Sequence, residues 1–137
     1  MIFPSKLSIS IRVLAGILLI MLSRKESFTQ QITRYDLSGK WKVVKVFEMD
    51  KDITPSLDQQ ANRWIAFIDN ERYESDGFPF GKIEGAYHLD ESSAMLVLKS
   101  NTGRDSIAWK VRYNGEYLVF QGTDRLAQYR FELVKDY

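Results

Sequence analysis

From residue 37 onward, apolar and polar side chains alternate with a period of two, and turn-forming residues interrupt the alternation at short intervals. A period of two puts successive side chains on opposite faces of a pleated strand. In residues 81–89, Ile83, Gly85, Tyr87 and Leu89 share one face against Lys82, Glu84, Ala86 and His88. In residues 105–113, Ile107, Trp109, Val111 and Tyr113 oppose Ala108, Lys110 and Arg112, and in residues 127–135 Tyr129, Phe131 and Leu133 oppose Gln128, Arg130 and Glu132. One face is dry and the other wet, as in an antiparallel sheet with solvent on one side. Residues 41–49, 64–69, 72–75, 94–99 and 116–121 complete a set of eight strands, separated by turn signals such as Asp69-Asn70, Asp76-Gly77-Phe78-Pro79 and Asn114-Gly115. Asn114-Gly115 is the clearest hairpin, because a type I′ turn needs positive φ at both central positions. Eight short strands at regular spacing belong to an all-β barrel or sandwich. The single wet face predicts the barrel: eight-stranded, antiparallel and up-and-down.

Two stretches depart from the pattern. In residues 41–49, Trp41, Val43, Phe47 and Met49 share a face with Lys45, so a bend or bulge is expected there. Residues 54–61 combine Thr54 as an N-cap, Pro55 at the first helical position and good helix formers after it, which predicts a short helix between strands one and two.

The N-terminus is a different object. Residues 1–12 carry Lys6 and Arg12 and no acid, residues 13–22 are unbroken apolar or small, and residues 23–31 turn polar. This is the layout of a secretory signal peptide. The apolar run of roughly 10 residues is well short of the ~20 that span a bilayer. Ser27-Phe28-Thr29 supplies a small-x-small site, so a signal peptide at 1–29 and a mature domain at 30–137 are expected, with an uncleaved N-terminal anchor as the alternative.

Composition then narrows the partners. The chain has 137 residues, 19 Lys plus Arg, 18 Asp plus Glu and a net charge of +1. Loss of Lys6, Arg12, Arg24, Lys25 and Glu26 with the leader turns this to −2, so no nucleic-acid footprint and no membrane-surface charge pattern remains. There is no cysteine, which leaves the domain held by burial alone and rules out lipidation at an N-terminal cysteine. The expected location is secreted or periplasmic, with no membrane span after processing.

Catalytic signatures are few. The sequence has no cysteine nucleophile, no Gly-x-Ser-x-Gly elbow, no P-loop and no His-x-x-x-His pair. His88 is the one histidine, and its parity puts it outside the barrel. Asp69, Glu71, Glu74 and Asp76 lack the glycine and spacing of a calcium loop, so no metal site and no cofactor are expected. Lys40, Lys42 and Lys45 read as a solvated face. The aromatic residues Phe67, Tyr87, Trp109, Phe120, Tyr129 and Phe131 are inward by parity, either as core or as the lining of a ligand cup.

Leu37-Ser38-Gly39-Lys40-Trp41, at the head of the first strand and just after the leader, resembles the Gly-x-Trp signature of the lipocalins and their calycin relatives. Residues 67–75 and 85–90 also look like the small lipocalin-like domains of secreted bacterial proteins, and the likeness covers residues 37–135. It implies that Gly39 admits the chain closely to the barrel floor and that Trp41 closes that floor. Three features depart from the pattern. Thr123-Asp124-Arg125 stands where lipocalins have Thr-Asp-Tyr. Arg130, the final-strand arginine, faces outward, away from the floor tryptophan. The inward pair Tyr129 and Phe131 replaces the Arg-x-Tyr that clamps a fatty-acid carboxylate. The resemblance implies a non-enzymatic, secreted binding protein with a small hydrophobic or amphipathic ligand in the barrel, lined by Phe67, Tyr87, Trp109, Phe120, Tyr129 and Phe131. One alternative is a filled barrel that meets a protein partner, as an inhibitor or interaction module, through its outer surface at Trp64, Phe78 and Pro79. The other is a barrel enzyme relying on His88.

Overall fold

The computed structural model describes residues 31–137 except Arg104. The expected signal peptide, residues 1–29, lies outside the described residues. The strands are β1 (Gly39–Glu48), β2 (Lys51–Asp52), β3 (Trp64–Phe67), β4 (Arg72–Asp76), β5 (Ile83–Asp90), β6 (Met95–Ser100), β7 (Ser106–Tyr113), β8 (Leu118–Gly122) and β9 (Tyr129–Lys135). Each strand from β3 onward pairs antiparallel with the next, β3 pairs with β1, and β9 returns to β1. The sheet therefore closes on itself as an eight-stranded up-and-down antiparallel barrel, with the two-residue β2 as a short tag on the end of β1. Closure removes the unpaired edges that an open sheet of this size would expose.

Burial follows the alternation closely. In β5, Gly85, Tyr87 and Leu89 are buried while Glu84, Ala86 and His88 are exposed, as is Lys82 just before the strand. In β7, Trp109 and Val111 are buried, whereas Ile107, near the strand's start, is 40% exposed. In β9, Phe131 and Leu133 are fully buried and Arg130 faces outward, ion-paired to Asp50 at 3.0 Å.

The irregularity expected in β1 is present. The register against β9 slips between Val43 and Lys45, so Val46 takes the inward position after Val43. The extra residue reverses the parity beyond it. Phe47 and Met49, inward by simple alternation, therefore lie outside: Phe47 under the guanidinium of Arg130 at 4.3 Å and Met49 81% exposed. The short helix between the first two barrel strands is a single 3-10 turn, Thr54–Ser56. It stops at Leu57, which is extended. Ile53 and Leu57 pack against the edge of the core.

One end of the barrel is shut by the segment that precedes β1. A one-turn helix, Arg34–Leu37, starts where the Asp36 carboxylate accepts the backbone N–H of Thr33 at 2.8 Å. Gln31 and Arg34 tether this segment to Glu91 on the β5–β6 turn, through the Glu91 carbonyl at 2.7 Å and its carboxylate at 3.1 Å. Leu37 and Ile32 are thereby buried under the barrel. Trp41 lies above them, 1% exposed, and its indole N–H donates to the Leu37 carbonyl at 2.8 Å. Tyr113 meets the Trp41 ring edge-on at 5.7 Å, and the Lys135 ammonium stands 4.7 Å from the ring centre. Lys135 also donates to the Ser38 carbonyl, and its amine fills the space where a side chain at position 39 would begin. Gly39 has φ +103°, so Gly-x-Trp is here a close-approach device on the floor. Among the described residues, no helix is long and apolar enough to cross a membrane.

Candidate functional site

The six aromatic residues singled out from the sequence fall into two groups. Phe67 and Tyr87 form an edge-to-face pair, with ring centres 4.9 Å apart. The Tyr87 hydroxyl donates to the Asp69 carbonyl at 2.6 Å, so its polar tip is committed to the β3–β4 turn. Burial, and after it the Asp69 charge, pushes the Tyr87 phenol above its ordinary pKa. Trp109, Phe120 and Phe131 form the second group, with mutual ring distances of 5.5 to 5.7 Å where they touch, and Tyr129 stacks on Phe131 at 6.0 Å.

The ring at the centre of this second group lies outside the strand pattern. Phe80, from the loop between β4 and β5, enters the barrel and packs against Trp109 at 5.9 Å, Phe120 at 5.5 Å and Phe131 at 6.5 Å. It is 7% exposed. Its neighbour Phe78 lies across Tyr129 and Phe131 from outside and stays 43% exposed. This loop, rather than residues 54–61, fills the end of the barrel opposite Trp41. The loop turns at Gly77 (φ +74°) and Gly81 (φ +76°), and the buried Ser75 hydroxyl holds the Gly81 carbonyl at 2.8 Å. No periodicity could have revealed Phe80, because it belongs to no strand.

A cavity of about 50 Å³ opens beside this cluster, with Tyr73, Phe80, Leu98 and Trp109 as apolar walls and Ser100 and Asp105 as polar ones. That is room for one or two small molecules of water size. Gly85 does not widen the interior, since the Tyr73 ring lies 2.8 Å from where its Cβ would stand. Trp109 is 1% exposed, and among the described residues its indole N–H is the buried side-chain donor without a hydrogen-bond partner. Nearly all buried polar groups in folded proteins are partnered by protein or by ordered water, so this donor is an exception within the core.

His88 stands exposed on the outer face of β5 and does not border this cavity. No group of three His, Asp or Glu residues with metal-site geometry occurs among the described residues. Trp64 lies on the outer wall, half-buried, with the Lys40 ammonium over its ring at 4.5 Å. Outer-wall electrostatics are local. The Asp69 carboxylate accepts the backbone N–H groups of Glu71 and Arg72, each at 2.8 Å, and pairs with the Arg72 guanidinium at 2.8 Å. These partners, led by the Glu71 N–H, hold Asp69 below the usual carboxylate range. A depressed carboxyl pKa adds stability above the unfolded-state value and loses it as pH falls through the folded one. Melting temperature followed from pH 6 to pH 2 should therefore fall less steeply in Asp69→Asn than in the wild type. Parallel curves would show that this turn is energetically silent.

Comparison with known proteins gives no family model that matches this chain and no significant match among curated proteins. The site itself must carry the functional reading.

Proposed function

We propose that the domain is a secreted, lipocalin-like binding protein that holds a small apolar or amphipathic molecule in the barrel interior, next to Trp109, and catalyses no reaction. The observation that carries this reading is the aromatic end of the barrel away from the Trp41 floor, where Trp109, Phe120 and Phe131 surround the loop-borne Phe80 beside a small cavity. The cavity itself admits only water-sized molecules, so binding there would require the β4–β5 loop with Phe80 to give way, and would desolvate an apolar ligand among aromatic walls. Support for the lipocalin-like assignment comes from the floor. Gly39 and Trp41 sit at the head of β1 beneath a final-strand cation, with Lys135 in the role that the family gives to an arginine. Residues 1–29 act as the export signal, and the working location is the periplasm or the medium of a bacterial cell.

The test is native mass spectrometry of the purified protein, together with indole fluorescence during titration with a medium-chain fatty alcohol. An apolar adduct is expected, with quenching that persists in Trp41→Phe and disappears in Trp109→Phe. A bare protein mass and no quenching would defeat the reading. The second reading, a filled barrel acting through its surface, draws on the dense ring packing around Phe80 and on the exposed Met49, Phe78 and Ile107. It predicts the second outcome.

A further inference from the structure

We infer that Asn114 is a self-modification site: in the folded protein the backbone nitrogen of Gly115 attacks its side-chain amide, a succinimide closes with loss of ammonia, and water opens it to isoaspartate or aspartate. The inference is independent of the ligand reading and concerns the floor end of the barrel. Asn114 and Gly115 lie in the loop of residues 114–117, beyond the Tyr113–Leu118 pair of the β7–β8 ladder. Both are exposed, so water reaches the site. Gly115 takes φ +93°, and a side chain there would meet nothing within 4 Å. The attacking nitrogen thus belongs to a residue with no Cβ, in open space, and nothing crowds the closing ring.

Three features favour the step here. Ring closure joins neighbouring residues, so the reaction is intramolecular. The Asn114 Oδ1 accepts the backbone N–H groups of Glu116 at 3.0 Å and Tyr117 at 2.7 Å. These two donors draw electron density from Cγ and hold the negative charge that Oδ1 gains as the nitrogen adds, as an oxyanion hole does. Among the described residues, the Gly115 N–H donates to no protein acceptor, so no such bond must break before its proton leaves. In the balance, the Gly115 nitrogen gives up that proton and bonds to Cγ, the Cγ–Nδ2 bond breaks, and the departing amide takes the proton to become ammonia. One water then opens the ring at either carbonyl. Nothing is oxidised or reduced. Asn62, Asn70 and Asn101 are also exposed, but Arg63, Glu71 and Thr102 follow them and put a Cβ beside the attacking nitrogen. Opening to isoaspartate routes the main chain through the former side chain and lengthens it by one methylene. The Tyr113 hydroxyl donates to the Gly115 carbonyl at 3.0 Å, and its ring meets Trp41 edge-on at 5.7 Å. The longer chain displaces that carbonyl and loosens Tyr113 against the floor.

The purified protein, kept folded at mildly alkaline pH to favour deprotonation of the Gly115 nitrogen, is sampled by peptide mass mapping with enzymatic methyl labelling of isoaspartate. Asn114 should lose its amide before Asn62, Asn70 and Asn101, and isoaspartate should appear at that position. Asn114→Gln, whose side chain must close a larger ring, should keep its amide over the same period. The isoaspartyl form, separated by ion exchange, should melt about 4 °C below the unmodified protein, the shift for one net hydrogen bond in a domain of this size. Asn114→Asp, with an ordinary backbone, should melt close to the wild type. An Asn114 amide that outlasts the other three, or that is lost only after urea has unfolded the chain, would overturn the inference. An isoaspartyl form that melts with the wild type would overturn its reach to the floor.

Discussion

Trp41→Ala is expected to destabilise the domain by about 3 to 5 kcal/mol, the range for removing a large aromatic from a packed core. Three losses coincide at this residue. The side chain is 1% exposed, so its removal leaves a cavity on the floor. The Leu37 carbonyl loses the indole N–H that it accepts at 2.8 Å, and nothing in alanine can replace it. The Lys135 ammonium, which burial already pushes below the usual lysine pKa, loses the ring face at 4.7 Å that compensates its partial desolvation. Small domains have only about 5 to 15 kcal/mol in total, so urea unfolding should show a midpoint lowered by about a fifth or more with an unchanged slope. Trp41→Phe keeps the ring packing and forfeits chiefly the hydrogen bond, and should cost about 1 kcal/mol. A cost below 1 kcal/mol for the alanine variant would mean that Trp41 does not close the barrel.

Gly85→Ala should be the other severe substitution, although replacing a glycine by alanine within a strand is ordinarily favourable. Here the sign reverses because of space. A Cβ at position 85 would stand 2.1 Å from the Lys99 carbonyl oxygen and 2.8 Å from Cε1 of Tyr73. Tyr73 is the residue directly across the β4–β5 ladder, and its ring covers the bare glycine. The ring can rotate, but the Lys99 carbonyl belongs to the neighbouring strand and moves only with the sheet. Overpacking of this kind costs about 3 kcal/mol. Thermal unfolding of Gly85→Ala and of Gly85→Ala/Tyr73→Leu separates the two clashes, and the double variant should recover only a minor part. Full recovery would assign the whole effect to the tyrosine, and a stabilised single variant would contradict the close approach itself.

The barrel was legible because a closed sheet with a solvated outside imposes strict parity on its strands. Gly85, Tyr87 and Leu89, or Phe131 and Leu133, could be assigned inward without coordinates. Parity fails where the chain gains a residue. The slip after Val43 sends Val46 inward and Phe47 outward, and an expected bulge does not say on which side of it the count changes. Single-turn elements such as Arg34–Leu37 leave too few residues to generate a helical period. The floor was half legible. Gly39 and Trp41 were visible as a motif, whereas Lys135 joins them through the β1–β9 pairing, across almost the whole domain. At the candidate site, Trp109, Phe120 and Phe131 came from parity, but Phe80 reaches them from a loop and the unmet bond of Trp109 exists only in three dimensions.

The pairing of β1 with β9 runs from Trp41 opposite Lys135 to Glu48 opposite Tyr129. One edge of β1 can pair with β3 early, but its other edge must wait for β9. While the chain emerges from the ribosome, β1 and β3 to β8 can zip one hairpin at a time, but the other edge of β1 has no ladder partner until β9 has emerged. Such a high contact order makes closure the slow, late event in folding, and it leaves one apolar edge available to wrong partners throughout synthesis.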